Sequence, residues 1–303
     1  MKIFIGKGRG VKVAVVAVLG LFAVNLWSVA QAEVAEDGMP TRPLGQTGHH
    51  VTLFGLGGQA TIERHGQDER AHEIINRALD LGVNYIDTAP SYGRGISETY
   101  IGRVMKDRRD EVFLATKSHD YSYAGTMRLI EQSLERLQTD RIDLYQHHNV
   151  GNLRQLERIT AEDGALRAFR ELRERGVVKH IGITSHSPQV LLRALELDVY
   201  DCMLITLNPA GSHMRDRRYL HEFMEKAREQ EVGVIAMKVV SKGALLGDNA
   251  NMTELLSYAL SFPVATAIVG ISEVWQVDDN VRIAKGFEPL SEEAKRELEG
   301  RFR

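Results

Sequence analysis

A (β/α)8 barrel of the α/β class (a TIM barrel), carrying an N-terminal β-hairpin and an extra C-terminal helix, is the fold this sequence predicts. Three observations predict it. Eight short apolar, β-branched runs alternate with amphipathic stretches of ten to fifteen residues, the pattern of a parallel sheet. Several runs end on polar or ionisable residues, as strands do where they reach the mouth of a barrel. The length, 303 residues, suits one large barrel domain.

The first 32 residues stand apart. Lys2, Lys7, Arg9 and Lys12 precede an uncharged apolar stretch beginning at Val13, and Ala30-Gln31-Ala32 forms a small-residue cleavage site. This predicts an export signal cleaved after Ala32, with a periplasmic product. If Asn25 and Trp27 are tolerated, Val13 to Ala30 serves instead as a retained anchor, the one route to a membrane. Arg9 lies between glycines, so no twin-arginine signal exists and export of the unfolded chain is expected. Residues 33–41 read as a linker, and 42–303 as the barrel domain.

Arg42 to Val51, with Gly45 and Gly48, reads as a hairpin able to plug the barrel bottom. The expected strands are Val51 to Leu56, Val83 to Asp87, Val112 to Thr116, Ile142 to His147, His180 to Thr184, Cys202 to Leu207, Gly233 to Met237 and Ala265 to Val269. Glu69 to Leu81 sets Ala71, Ile74, Ile75, Ala78 and Leu81 on one stripe, stopped by Gly82. Similar stripes mark Thr126 to Leu137, Ala165 to Arg175, Pro188 to Leu197, Tyr219 to Gln230, Thr253 to Ser261 and Val274 to Lys285. Ser291 caps a last helix to Glu299 with an acidic first turn. His119 to Ala124 and Gly151 to Asp163 read as specificity loops.

Composition narrows function. With a net charge of −3 and both signs interspersed, nothing points to nucleic acid, and the cluster Lys106 to Arg109 reads as solvated surface. The single cysteine, Cys202, lies in an apolar run and reads as a buried thiol. No residue is assigned to a metal.

Strand ends carry the chemistry. Asp87 closes the second strand and Tyr92 follows on a turn; Lys117 follows the third; His147 and His148 close the fourth; Thr184 closes the fifth. A lysine in a desolvated mouth needs a counter-charge, and Asp87 on the adjacent strand supplies one. An ammonium beside a phenol lowers its pKa from about 10 and makes it a usable acid. An imidazole on the fourth strand can orient a carbonyl oxygen. Such a set suits reduction of a carbonyl, hydride reaching carbon and a proton reaching oxygen from Tyr92.

At these residues the sequence resembles the aldo-keto reductase family, over about Arg42 to Phe287. The resemblance implies the tetrad Asp87, Tyr92, Lys117 and His148; His148 is chosen because it falls five residues after Asp143, leaving His147 as a packed histidine. It also implies a cofactor, NADP(H) with NAD(H) as the alternative, lying across the barrel mouth without a glycine-rich dinucleotide fingerprint. Thr184 and Ser185 then hold the nicotinamide amide and Asn208 assists. Met237 faces the nicotinamide and Lys238 the pyrophosphate, while Gly270, Ser272, Gln276, Asp279 and Asn280 form the adenosine end. Leu204 replaces a glutamine common in the family, and Ser272 an arginine that often clasps the 2′-phosphate. The substrate expected is a small carbonyl compound. A cofactor-binding sensor or accessory subunit without turnover is the alternative, and a lyase forming a Schiff base on Lys117 the third reading. The substrate's identity and the oligomeric state are not readable from the sequence.

Overall fold

The computed structural model describes residues 33–34 and 38–303, so the expected leader over residues 1–32 lies outside the described residues. Among the described residues no helix is long and apolar enough to cross a membrane.

The chain enters through a three-stranded antiparallel sheet, β1 (Glu33–Val34), β2 (Pro40–Pro43) and β3 (His50–Thr52). Glu33 pairs with Thr41 and Val34 with Pro40, so part of the span expected to be a linker belongs to the sheet. The β2–β3 hairpin is the plug that the sequence suggests. Its Leu44 and Val51 are fully buried among Tyr85, Leu144, Cys202, Leu204 and Ile235 in a cluster of their own at the barrel floor. Buried Arg42 ties it down, donating from Nη1 to the carbonyls of Leu260 at 3.1 Å and Val264 at 2.8 Å. Gly45 turns the hairpin with φ +55°, and a Cβ there would lie 2.4 Å from the Gly233 nitrogen and 2.5 Å from the Glu231 oxygen. Both obstacles are backbone. Gly45→Ala should therefore lower stability by about 1–3 kcal/mol, read as a lower midpoint in urea; an unchanged midpoint would mean the hairpin is not docked.

Eight parallel strands close the barrel: β4 (Phe54–Ala60), β5 (Tyr85–Asp87), β6 (Phe113–Ser118), β7 (Ile142–His147), β8 (Val178–Ser185), β9 (Cys202–Thr206), β10 (Gly233–Met237) and β11 (Thr266–Ile271), with β11 pairing β4. The expected strands match closely except the first, which starts three residues later than the sequence suggests. Gly55, Gly57 and Gly58 have no apolar signature, and Val51 and Thr52 belong to the hairpin. A Cβ on Gly57 would sit 3.1 Å from the Gly270 nitrogen, so β4 can approach β11 only without one.

Ten helices cover the barrel: α1 (Asp68–Asp80), α2 (Ile96–Arg108), α3 (Tyr123–Leu137), α4 (Leu153–Thr160), α5 (Ala165–Glu174), α6 (Pro188–Leu195), α7 (Leu220–Glu229), α8 (Met252–Leu260), α9 (Val274–Lys285) and α10 (Glu292–Gly300), as counted among the described residues. In α1, Ala71, Ile74, Ile75, Ala78 and Leu79 are buried, the large aliphatics contributing about 1.5–3 kcal/mol each. Ser122 caps α3, accepting from the Gly125 nitrogen, and so starts it three residues earlier than the apolar stripe suggests. The segment expected to be a loop at 151–163 contains α4, capped by Asn152, with only Leu156 and Ile159 buried. Two buried residues are too few to register as a stripe. Helix α10 packs outside the eighth unit, where Tyr258 donates to Glu299 at 2.6 Å and Lys295 lies over the Phe262 ring. In the basic cluster at the end of α2, Lys106 and Asp107 are exposed, as its charge suggests, and Arg109 just past the helix is the exception. Arg109 bridges to Asp143 at 2.6 Å and is nearly buried.

Candidate active site

The end of β5 aims the first carboxylate. Asp87 and Lys117, on adjacent strands and each 1% exposed, form an ion pair inside the mouth. Lys117 also donates to the Thr88 carbonyl at 2.7 Å, and Gln146 Nε2 donates to the second oxygen of Asp87 at 2.9 Å. Gln146 escapes sequence reasoning because a neutral amide inside an apolar strand carries no charge signal. Burial pulls the Lys117 ammonium down, but Asp87 and Tyr92 outweigh it and hold the group above its ordinary value.

Tyr92 reaches the same point from a sharp turn. Gly93, Arg94 and Gly95 follow it with φ of 57°, 57° and 93°, and a Cβ on Gly93 would strike the Glu63 carbonyl at 2.1 Å. Three left-handed residues in a row fold the chain back and hold the phenol ring over the mouth. Lys117 Nζ lies 4.9 Å from the Tyr92 ring centroid. The tyrosine is perturbed, though not in the direction the sequence suggests. Burial raises the phenol above its ordinary 10.0; Lys117 opposes this without overcoming it, and Asp87 and Glu63 add to the rise.

His148 completes the set, its ring edge-on to Tyr92 at 5.8 Å between centroids. Burial first, then the charges of Lys117, His119, Lys238 and His186, push it down to about 3. It is therefore neutral at pH 7 and, with its proton on Nε2, a hydrogen-bond donor. All four residues of the expected tetrad are thus brought together.

His147 points the other way. It stacks on Phe169 of α5 at 3.9 Å, neither ring nitrogen has a protein partner, and burial pulls it down to about 3. A base whose folded pKa is depressed adds stability that is complete above its unfolded value near 6.5 and is lost as pH falls towards 3. His147→Phe should therefore leave the melting temperature at pH 7 nearly unchanged and reduce its fall between pH 6.5 and 4. An unaltered acid response would place the titration elsewhere.

A groove runs from this set across the mouth. Its walls include Gly57, Gly58, Met237, Lys238, Lys242, Gly270, Ser272, Trp275, Gln276, Asp279 and Asn280. Seven expected cofactor residues are among them. Lys238 donates to Gln59 at 2.9 Å, and Gln276 caps α9, accepting from the nitrogens of Ser272 at 2.8 Å and Glu273 at 3.1 Å. The loop of Lys238, Ser241 and Lys242 holds three left-handed residues without glycine, a costly geometry that clusters at ligand sites.

The structure does not bring Thr184, Ser185 and Asn208 to that wall. Thr184 accepts from the Asn149 nitrogen at 2.7 Å, and Ser185 donates to the Val150 carbonyl at 2.7 Å. Asn208 donates to the carbonyls of Ser212 and Lys238. All three are buried and engaged with backbone, so here they shape the loops around the mouth. Leu204 is fully buried in the floor cluster, and Cys202, a free thiol, is buried beside it. Sequence reasoning missed Arg64, Lys242 and the aromatic Trp275, which stand on loops or a helix end with no periodic pattern.

A closed barrel with a buried Asp–Lys pair, a phenol and an imidazole at one mouth defines an oxidoreductase-like site. Residues 53–255 match the model of the Aldo/keto reductase family. The chain belongs to the aldo/keto reductase family and is an NAD(P)H-dependent oxidoreductase acting on carbonyl compounds. It is 28% identical to an uncharacterized oxidoreductase, YqkF, of Bacillus subtilis, over 85% of this chain and 95% of that one. The aldo-keto reductase AKR11C1 of Bacillus halodurans, in its holo form, is 28% identical, with a TM-score of 0.72 over 87% of this chain and 96% of its own. An aldo-keto reductase of Klebsiella pneumoniae in complex with NADPH shares the fold, at 22% identity and a TM-score of 0.69 over 84% and 93% of the two chains.

Proposed function

We propose that the chain reduces an aldehyde or ketone to an alcohol with Tyr92 as general acid, Lys117 and Asp87 tuning and holding it, and His148 orienting the substrate oxygen. The observation that carries this reading is the convergence of one buried ion pair, one phenol and one neutral imidazole on a single point. When bound, the reduced nicotinamide supplies the hydride. His148 Nε2 donates to the carbonyl oxygen and fixes its direction. As charge develops on that oxygen, Tyr92 gives it a proton, and the adjacent Lys117 ammonium stabilises the phenolate left behind. The carboxylate of Asp87 keeps Lys117 charged, with Gln146 holding its other oxygen.

The groove's chemistry fits the cofactor. Arg64, Lys238 and Lys242 offer cations for phosphates, α9 presents its N-terminus, and Met237, Leu246 and Trp275 offer apolar surface for flat rings. Ser272, Gln276, Asp279 and Asn280 stand at the adenosine end. This number of cations favours NADPH over NADH. In a chain beginning after Ala32, Trp275 is the sole tryptophan, and its side chain is 61% exposed on the groove's rim. Titration with NADPH should quench its emission, with NADH binding at least about tenfold more weakly. Unchanged emission would remove Trp275 from the cofactor site. Turnover is tested by following reduced-cofactor absorbance with a panel of aldehydes and ketones.

The basic-then-apolar start of the chain supports a leader, with the barrel domain as the mature product outside the cytoplasm. Mass analysis of the protein expressed in a Gram-negative host should find an N-terminus at Glu33 in the periplasmic fraction. An intact Met1 in the cytosol would reject export, and an intact chain in the membrane fraction would favour the anchor.

A further inference from the structure

Two buried polar residues open α2, directly after the turn that seats Tyr92, and the reaction proposed above uses neither. Ser97 and Glu98 are both 0% exposed. Among the described residues no carboxylate is more deeply buried than that of Glu98. A carboxylate is expensive to remove from water unless its oxygens find donors, and here both do. Thr116 Oγ1 donates to one oxygen at 2.7 Å and Arg136 Nη1 to the other at 3.1 Å.

The places of those two donors connect Glu98 to the reacting groups. Thr116 precedes Lys117 on β6, and successive side chains of a strand point to opposite faces. Lys117 enters the mouth, towards Asp87 and the face of Tyr92, so Thr116 turns outward against α2 and is not among the walls of the groove. Arg136, near the end of α3, lies against the turn itself. A Cβ on Gly95, the last of the three left-handed residues, would sit 2.7 Å from Arg136 Nε. The two helices meet closely there, since a Cβ on Gly102, one helical turn beyond Glu98, would run into the Arg136 carbonyl oxygen. Ser97 secures the other edge. Its Oγ donates to the Gly58 carbonyl at 2.7 Å and lies 2.7 Å from Thr88 Oγ1, and the Thr88 carbonyl accepts from Lys117 at 2.7 Å. The turn carrying Tyr92 and the strand carrying Lys117 are thus joined behind the mouth as well as within it.

We propose that Glu98 is a positioning residue for proton transfer: by holding Thr116 and Arg136 together it sets Tyr92 against Lys117. This deepens the reductase reading and rests on it. The groups facing the phenol are Lys117 on β6, Asp87 on β5, Glu63 before α1 and His148 after β7. Of these only Lys117 stabilises the phenolate left by proton transfer, so the reaction is sensitive to that one separation.

The test breaks the link away from substrate and cofactor, in the whole enzyme with NADPH and an aldehyde that the wild type reduces. Thr116→Val keeps the shape of the side chain and deletes the donor. Its kcat should fall about tenfold or more, with KM and NADPH affinity within about a factor of two. Thr116→Ser, which keeps the hydroxyl, should recover most of that loss. Glu98→Gln, left with one acceptor for two donors, should lose turnover as Thr116→Val does. The deciding reading is the solvent deuterium isotope effect on kcat. It should rise in both impaired variants, because a displaced phenol slows proton transfer relative to hydride transfer. A variant that is merely less stable has fewer working sites, counted by NADPH titration, and an unchanged isotope effect. Wild-type kcat in both variants, or a loss that tracks the number of NADPH sites with the isotope effect unchanged, would overturn the proposal while leaving the reductase reading intact. Absence of turnover by the wild type with every aldehyde would end that reading and this inference with it.

Discussion

Tyr92→Phe should lower turnover by about 10²- to 10⁴-fold, the contribution of a positioned general acid, while the affinity for NADPH stays within a factor of two or so. The substitution removes one oxygen. The ring remains, and with it the contact of Lys117 with its face at 4.9 Å, so the fold and the ion pair below it should persist. A parallel thermal melt checks this. The pH dependence of the wild type gives a second reading of the same group. Reduction uses the protonated phenol, whose pKa burial has raised above 10.0. Below that value the acid form predominates, so this group imposes no loss of reduction rate from neutral pH up to about 10. Oxidation of an alcohol uses the phenolate, so its rate should climb with pH over the same range. His148, down at about 3, stays neutral throughout and adds no break near its ordinary 6.5. Near-wild-type turnover in Tyr92→Phe would reject the assigned acid.

The raised phenol also shows where sequence reasoning stops. That Lys117 would lie beside Tyr92 was legible, because strand ends in a parallel barrel must meet at one mouth whatever their separation in sequence. The balance between a nearby cation and burial was not, because it depends on how completely the turn at Gly93 to Gly95 seats the ring. The strands tell a similar story. Ile142 to His147 carries Ile142, Leu144 and Tyr145 before its polar end, Gly233 to Met237 is apolar throughout, and the structure repeats the limits of both. β4 was misjudged because its inward positions are glycines, chosen by contact with β11 and silent in any hydrophobic pattern. Thr184, Ser185 and Asn208 were legible as polar residues at strand ends. Their engagement with the backbone of neighbouring loops follows from chain paths that no local pattern encodes.

Lys117→Met should be as damaging to turnover as loss of the phenol, and more damaging to the fold. Removal of the ammonium takes away the one cation that stabilises a phenolate at Tyr92, and leaves Asp87 as a carboxylate 1% exposed with Gln146 Nε2 as its remaining side-chain donor. Breaking a buried pair on one side costs about 3–5 kcal/mol. A fall in turnover alone would then be ambiguous between lost chemistry and lost structure, and the double variant Lys117→Met with Asp87→Asn separates them. The amide of asparagine can still accept from Gln146 but carries no charge, so most of the lost stability should return in a urea titration. Turnover should not return, because the phenol still lacks its cation. Recovery of both would reduce the pair to a structural role. Recovery of neither would point to a distorted mouth, with Tyr92 displaced. Borohydride added to the wild type with an aldehyde substrate provides the remaining contrast. An ammonium held above its ordinary pKa by Asp87 is a poor nucleophile, so no reduced adduct should form on Lys117; an adduct mapped there by mass spectrometry would assign the site to Schiff-base chemistry instead.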